Sequence, residues 1–138
     1  MKKPWVSLLL IASSIAVCAT TQACESLEGA WELTYAIYKD QQGKVVQEIK
    51  AGGEKSLKIL SQQHFSFITM DKDGKFSVAG AGTYSLTGSK YAETVSFASM
   101  DRLLGKVYEF NCQMKDGLWI HTGSEDHLSI EEHWRRVK

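Results

Sequence analysis

The feature that most constrains this chain is a period of two. From Glu28 onward apolar residues recur at alternate positions, as in Trp31, Leu33, Tyr35 and Ile37, the repeat of a strand with one buried face. The alternation returns in Tyr91, Glu93, Val95 and Phe97, in Tyr108, Phe110, Cys112 and Met114, and in Leu128, Ile130, Glu132, Trp134 and Arg136. Helical spacing is confined to a candidate single turn near Ser99 to Leu104. Gln42-Gly43, Asp73-Gly74, Gly88-Ser89 and Asp116-Gly117 lie between the alternating runs; such pairs supply the positive φ that tight hairpins require. Successive hairpins make an up-and-down antiparallel meander, and about eight to ten strands at this length form a sandwich or a closed barrel. Closure removes the sheet edges that invite aggregation, so the expected fold is all-β, an up-and-down antiparallel β-barrel.

Residues paired across a two-residue turn lie on the same side of the sheet, which makes the facing testable. With Asp116-Gly117 as the loop, Met114 opposes Trp119 and Cys112 opposes His121; with Gly88-Ser89, Leu86 opposes Tyr91 and Tyr84 opposes Glu93. Asp73-Gly74 places Phe65 and Phe67 on the face of Phe76, Val78 and Tyr84. One aromatic face results, carrying Phe65, Phe67, Phe76, Tyr84, Tyr91, Phe97, Tyr108, Phe110 and Trp119, with Glu93, Cys112 and His121 among them. The opposite face holds Ser66, Ser77, Ser85, Thr94, Ser96, Glu109, Asn111 and Gln113. The aromatic side is the expected lumen.

The start of the chain has the form of a signal peptide: Lys2 and Lys3, an apolar run from Val6 to Val17, then small and polar residues to Ala23. That run is shorter than the roughly 20 apolar residues a bilayer span needs. The expected division is therefore a signal peptide over 1–23 and one barrel domain over 24–138. Cleavage after Ala23 leaves Cys24 first, where a bacterial lipoprotein carries its lipid. Two destinations stay open: periplasmic or secreted, or lipid-anchored to the outer membrane through Cys24, the only membrane attachment expected. Loss of two lysines turns 16 basic and 16 acidic residues into 14 and 16, a balance that gives no reason to expect nucleic-acid binding. With Cys18 gone, Cys24 and Cys112 form at most one bridge; an inward-pointing Cys112 argues against it.

Cys112 beside His121 is the one pair suggestive of chemistry, since a histidine lowers a thiol's pKa and both bind soft metals. No third ligand at a characteristic spacing accompanies them, and a buried cysteine among aromatics is usually a small apolar filler. Asp71-Lys72-Asp73-Gly74 lacks the remaining ligands of a calcium loop and reads as a turn. No metal, cofactor or catalytic residue is expected, and the chain is not expected to be an enzyme.

Gly29-Ala30-Trp31 at the start of the first strand and Glu132-His133-Trp134-Arg135-Arg136-Val137 at the end of the last resemble the lipocalin-like members of the calycin superfamily. The stretches Gly53 to Leu60, His64 to Phe67, Gly82 to Leu86 and Tyr91 to Thr94 are similar to exported lipocalin-like proteins of Bacteroides-type bacteria. The resemblance implies that Gly29 and Trp31 are structural, the tryptophan plugging one end of the barrel, and that Arg136, or Arg135 if the register slips by one, packs across it. The closing run also resembles the last strand of fatty-acid-binding proteins, where a basic residue and a tyrosine point inward. Here Glu132 and Trp134 take those positions, which replaces the anion-holding cation by an acid.

A purely structural core seldom keeps Glu93, His121 and Glu132 on its inner face, because an unpaired buried polar group costs about 1–3 kcal/mol. The expected function is therefore binding of a small hydrophobic or amphipathic ligand in the lumen. The candidate ligand-binding residues are Tyr35, Phe67, Tyr84, Tyr91, Glu93, Tyr108, Trp119, His121, Glu132 and Trp134. The alternative is an envelope interaction or enzyme-inhibitor protein with a filled barrel, acting through its outer surface or loops.

Overall fold

The computed structural model describes residues 22–138; residues 1–21, and with them nearly all of the expected signal peptide, lie outside the described residues. The strands are β1 (Gln22–Ala23), β2 (Gly29–Lys39), β3 (Val45–Ile49), β4 (Lys55–Leu60), β5 (His64–Met70), β6 (Phe76–Thr87), β7 (Lys90–Ala98), β8 (Val107–Lys115), β9 (Leu118–Glu125) and β10 (Leu128–Arg136). A 3-10 turn at Asp101–Leu103 falls inside the expected helical segment. The antiparallel order β8-β7-β6-β5-β4-β2-β10-β9 closes through β8–β9 pairing into an eight-strand barrel. Strand β2 is shared, pairing β4 along Gly29–Glu32 and β3 along Ala36–Lys39.

The hairpins form as their turn residues dictate. Asp116 and Gly117 both have positive φ, 52° and 76°, between β8 and β9, and Cys112 faces His121 while Met114 faces Trp119. Gly88-Ser89 joins β6 to β7 with Leu86 opposite Tyr91 and Tyr84 opposite Glu93. Asp40 and Asp71 each open a longer hairpin loop: each Oδ1 accepts two backbone N–H groups, of Gln42 and Lys44 and of Asp73 and Lys75. These loops replace the expected two-residue turns at Gln42-Gly43 and Asp73-Gly74, because the aspartate side chain closes a wider loop; the Asp71 segment is a turn, as expected.

One end of the barrel is plugged. Trp31 is buried, donates its Nε1–H to the Leu27 carbonyl at 2.8 Å, and packs edge-on to Trp119 with centroids 5.5 Å apart. The Arg136 guanidinium lies 4.2 Å from the Trp31 ring centre and donates to the Glu28 carbonyl, so the register settles on Arg136. Arg135 instead turns outward to Glu32. Gly29 has φ +126°, which requires glycine, and a Cβ there would push that guanidinium aside.

Three expected lumen residues lie outside, each beyond a β-bulge, where one extra residue reverses the facing of the strand past it. Thr34 is the extra residue of β2, its hydroxyl donating to the His133 carbonyl at 3.0 Å. Beyond it Tyr35 stands on the outer surface, edge-on to His133 and donating its hydroxyl to Glu48, while Ala36 and Tyr38 turn inward. Ser96 is the extra residue of β7 opposite the Ala81–Gly82 step, which leaves Phe97 73 % exposed. Ser77 does the same in β6, and Phe76 is 55 % exposed. Strand β7 approaches so closely at its bulge that a Cβ on Gly82 would strike the Thr94 carbonyl oxygen.

The expectation against a bridge is also corrected. Cys24 and Cys112 form a disulfide with Cα atoms 5.9 Å apart. Cys112 does point inward and is fully buried, but the segment before β2 folds under the plugged end and brings a buried Cys24 to it. A covalent tie between residues 88 apart removes loop-closure entropy from the unfolded chain. The double variant Cys24→Ser/Cys112→Ser is expected to lose about 2–5 kcal/mol of stability in urea unfolding. Gly29→Ala is expected to lose ~1–3 kcal/mol through its strained backbone, with Arg136→Ala losing less because a surface cation–π contact is worth about 0.5–1 kcal/mol.

Candidate functional site: a cavity above an aromatic floor

The lumen is divided into a floor and a cavity. At the plugged end Phe65, Tyr91, Trp119 and Trp31 pack together with the disulfide and fill the barrel completely. Toward the other end, where the Asp40 and Asp71 loops and the 3-10 turn lie, a cavity of about 380 Å³ remains. Its walls include Leu33, Ile49, Phe67, Val78, Leu103, Phe110, Ile130 and Trp134. Leu103, presented by the 3-10 turn, is buried against the core.

Between floor and cavity runs a belt of polar side chains. Lys58 donates to Glu93 Oε1 at 2.5 Å, and the Tyr91 hydroxyl donates to the same oxygen at 2.5 Å. Both members of this ion pair are only 6 % exposed, and the ammonium lies 5.1–5.9 Å from the ring centres of Trp134, Trp119, Tyr91 and Phe65. Removing either partner would strand a buried charge, which costs far more than an exposed pair contributes. On the neighbouring strands His121 Nε2 lies 2.6 Å from Glu132 Oε2, which also accepts the Trp134 indole N–H at 3.0 Å; Glu132 Oε1 accepts the Tyr38 hydroxyl at 2.8 Å. The His121 ring is held flat against Phe110, centroids 4.2 Å apart.

These contacts set the charges. Burial pushes the Glu132 carboxyl up, but the His121 charge and hydrogen bond, Lys58 and the Tyr38 hydroxyl together outweigh it and hold the group at about 2. Burial, then the Glu132 charge and hydrogen bond, drives the Tyr38 phenol strongly upward, so it stays a donor. Burial and Glu125 raise Tyr108 to about 12, and its hydroxyl donates to Glu125 at 3.1 Å. Two buried groups have no partner among the described residues, Trp119 Nε1 and His121 Nδ1.

Of the ten expected ligand-binding residues, Phe67, Glu93, Tyr108, His121, Glu132 and Trp134 line this cavity. Tyr91 and Trp119 are fully buried in the floor, while Tyr84 lies at the plugged end with its hydroxyl on the Ser61 carbonyl at 2.8 Å. All three face inward as expected, but Tyr91 and Trp119 form the packed floor and Tyr84 lies beyond it, so none of them lines the cavity. Tyr35 is outside. Cys112 and His121 are cross-strand partners, yet the Cys112 sulfur is spent in the disulfide, so no thiol faces the histidine.

Sequence reasoning missed Lys58, Tyr38, Glu54, Arg102, Glu125 and Asp126, which also line the cavity. In β4 the apolar signal points the wrong way: Ile59 is exposed while Ser56 and Lys58 are buried. The register would have found Lys58, since it pairs with Phe67 and Leu60 pairs with Phe65 across a glycine-free turn.

The low Glu132 value fixes a sign. A carboxyl held at about 2, against 4.5 when unperturbed, contributes stability that is present above the unfolded value and lost as pH falls through the folded one. The wild type is expected to lose stability between about pH 5 and pH 2, and Glu132→Gln is expected to flatten that slope in urea titrations at several pH values.

No curated protein matches the sequence. Among solved structures, a lipocalin-like protein from Bacteroides uniformis is similar with a TM-score of 0.53 and 16 % identity, over 80 % of this chain and 98 % of that one. At that identity the likeness shows the fold, a lipocalin-like barrel. A family model described as a domain of unknown function, DUF4488, matches residues 26–138, and the chain belongs to that family.

Proposed function

We propose that this protein is an exported lipocalin-like barrel that binds a small, partly apolar ligand in its lumen and catalyses no reaction on it. The observation that carries the reading is the cavity of about 380 Å³ between apolar walls and the Lys58–Glu93 and His121–Glu132 belt. Small-molecule sites are typically clefts of about 300–1,000 Å³ with mostly apolar walls and a few polar groups that fix orientation. A barrel acting only as a scaffold has no use for a belt that costs desolvation energy. The Cys24–Cys112 bridge supports export to an oxidising compartment. It also supports the periplasmic or secreted destination over a lipid anchor, because one sulfur cannot hold both the bridge and a lipid.

The outer surface supports a second reading, an interaction protein. Ile59 on β4, Ile68 on β5 and Phe97 on β7 are exposed apolar side chains on one outer face, Ile59 and Phe97 joined by the cross-strand row through Ser66 and Ala81.

Native mass spectrometry of protein purified from its own host separates the two. The lumen reading expects a retained small-molecule adduct, lost in Val78→Trp, which fills the cavity from β6. A bare mass for the gently handled wild type, with a protein partner captured instead, would shift the function to the outer face. The same spectra, taken without reductant, should show one disulfide and no added lipid.

A further inference from the structure

We infer that the ligand of this lumen is an organic cation, a protonated amine on an apolar body, whose head lies beside Tyr38 among the carboxylates of Glu54, Glu125 and Glu132. The inference rests on the ligand-binding reading above and adds the class of ligand.

Charge is the first argument. The cavity lining holds five carboxylates, Glu54, Glu93, Glu125, Asp126 and Glu132, against the basic side chains Lys58, Arg102 and His121, with His121 2.6 Å from Glu132 and Lys106, outside the lining, 3.6 Å from Asp126. None of these basic groups is free for an anionic ligand. Lys58 is consumed by Glu93 at 2.5 Å within a ring of aromatics, and Arg102 lies 3.8 Å from Glu125. Glu54 is in no ion pair among the described residues and touches only the Gln47 amide at 3.4 Å. An anion entering here would find every basic group already facing a carboxylate and would meet the unpaired Glu54 charge in a partly desolvated site, where like charges repel more strongly than in water.

Convergence is the second. Glu54 ends the loop before β4, Glu125 ends β9 and Glu132 lies in β10, yet all three line one cavity with Tyr38, whose hydroxyl donates to Glu132 at 2.8 Å. Three separate segments therefore bring acid to one neighbourhood of the cavity. A cation placed there would compensate the unpaired Glu54 charge, with the Tyr38 oxygen available as an acceptor.

The walls supply the third. Phe67, Phe110 and Trp134 line the same cavity, and an ammonium or its adjacent methylenes gain from aromatic faces as well as from burial.

The test is calorimetric titration of the intact protein at neutral pH with two matched sets of probes: octylammonium, octanol and octanoate, and naphthylmethylammonium, naphthylmethanol and naphthoate. The expected result is binding of the amine at least about tenfold tighter than the alcohol in one set or both, with the carboxylate weakest. In Glu54→Gln, a variant of a half-buried loop residue, the amine-to-alcohol ratio should shrink several-fold. Alcohol or carboxylate binding equal to that of the amine overturns the cation while leaving the lumen site standing. An amine preference untouched by Glu54→Gln overturns the placement of the head. Silence from all six probes overturns the inference, and with a bare native mass it removes the ligand reading too.

Discussion

An eight-stranded barrel has an interior about wide enough for its own side chains to fill, so a cavity exists only if the rings are unevenly distributed along the axis. Here they are. Trp31, Trp119, Tyr91 and Phe65 are stacked toward one end, and the Arg136 guanidinium across Trp31 closes it from outside. The half beyond receives smaller or more distant side chains and stays open. The cavity depends on that asymmetry, and at the plugged end Gly29, without a Cβ and with a positive φ, leaves the space in which the arginine reaches the indole.

The polar belt arises from the same division. At the boundary between a dry floor and an open cavity, a buried charge can be neutralised from below and still be reached from above. Glu93 is held from the floor side by the Tyr91 hydroxyl and across the lumen by Lys58. Glu132 is held by His121, Trp134 and Tyr38. Such pairs contribute little net stability compared with apolar replacements of the same volume. Their retention at this level of the barrel is better explained by what they present to the cavity than by what they add to the fold.

Much of this was legible in the sequence because a closed antiparallel barrel is a local object: neighbouring strands are neighbours in the chain, and glycine-bearing turns declare the register. The hairpins at Gly88-Ser89 and Asp116-Gly117 placed Tyr91, Glu93, Cys112, Trp119 and His121 on the inner face correctly. The errors of facing share one cause. A bulge inserts a single residue and inverts the facing beyond it, and Thr34, Ser77 and Ser96 leave no composition signal that distinguishes them from ordinary strand residues. Tyr35, Phe76 and Phe97 were therefore assigned inward by a period that had slipped. The Asp126-His127 turn was missed because both residues take positive φ, 43° and 79°, without a glycine. The disulfide was hidden for another reason: it joins a segment before the first barrel strand to β8, and nothing local records so distant a contact.

The bulges also have a constructive consequence. Had β2 kept a strict period of two past Leu33, Tyr35 and Ile37 would project inward and Tyr38 outward. The insertion at Thr34 instead sends Ala36 inward, where it occupies almost no volume, and then Tyr38, whose hydroxyl reaches Glu132. One unpaired residue thus removes a large ring from the lumen and brings in a phenol that orients a carboxylate. At β7 the bulge at Ser96 turns Phe97 out of the barrel in the same way. In a barrel whose interior is about wide enough for its own side chains, turning Tyr35 and Phe97 outward and Ala36 inward leaves volume in the lumen, so the bulges that break the period of two in the sequence also help keep the cavity open.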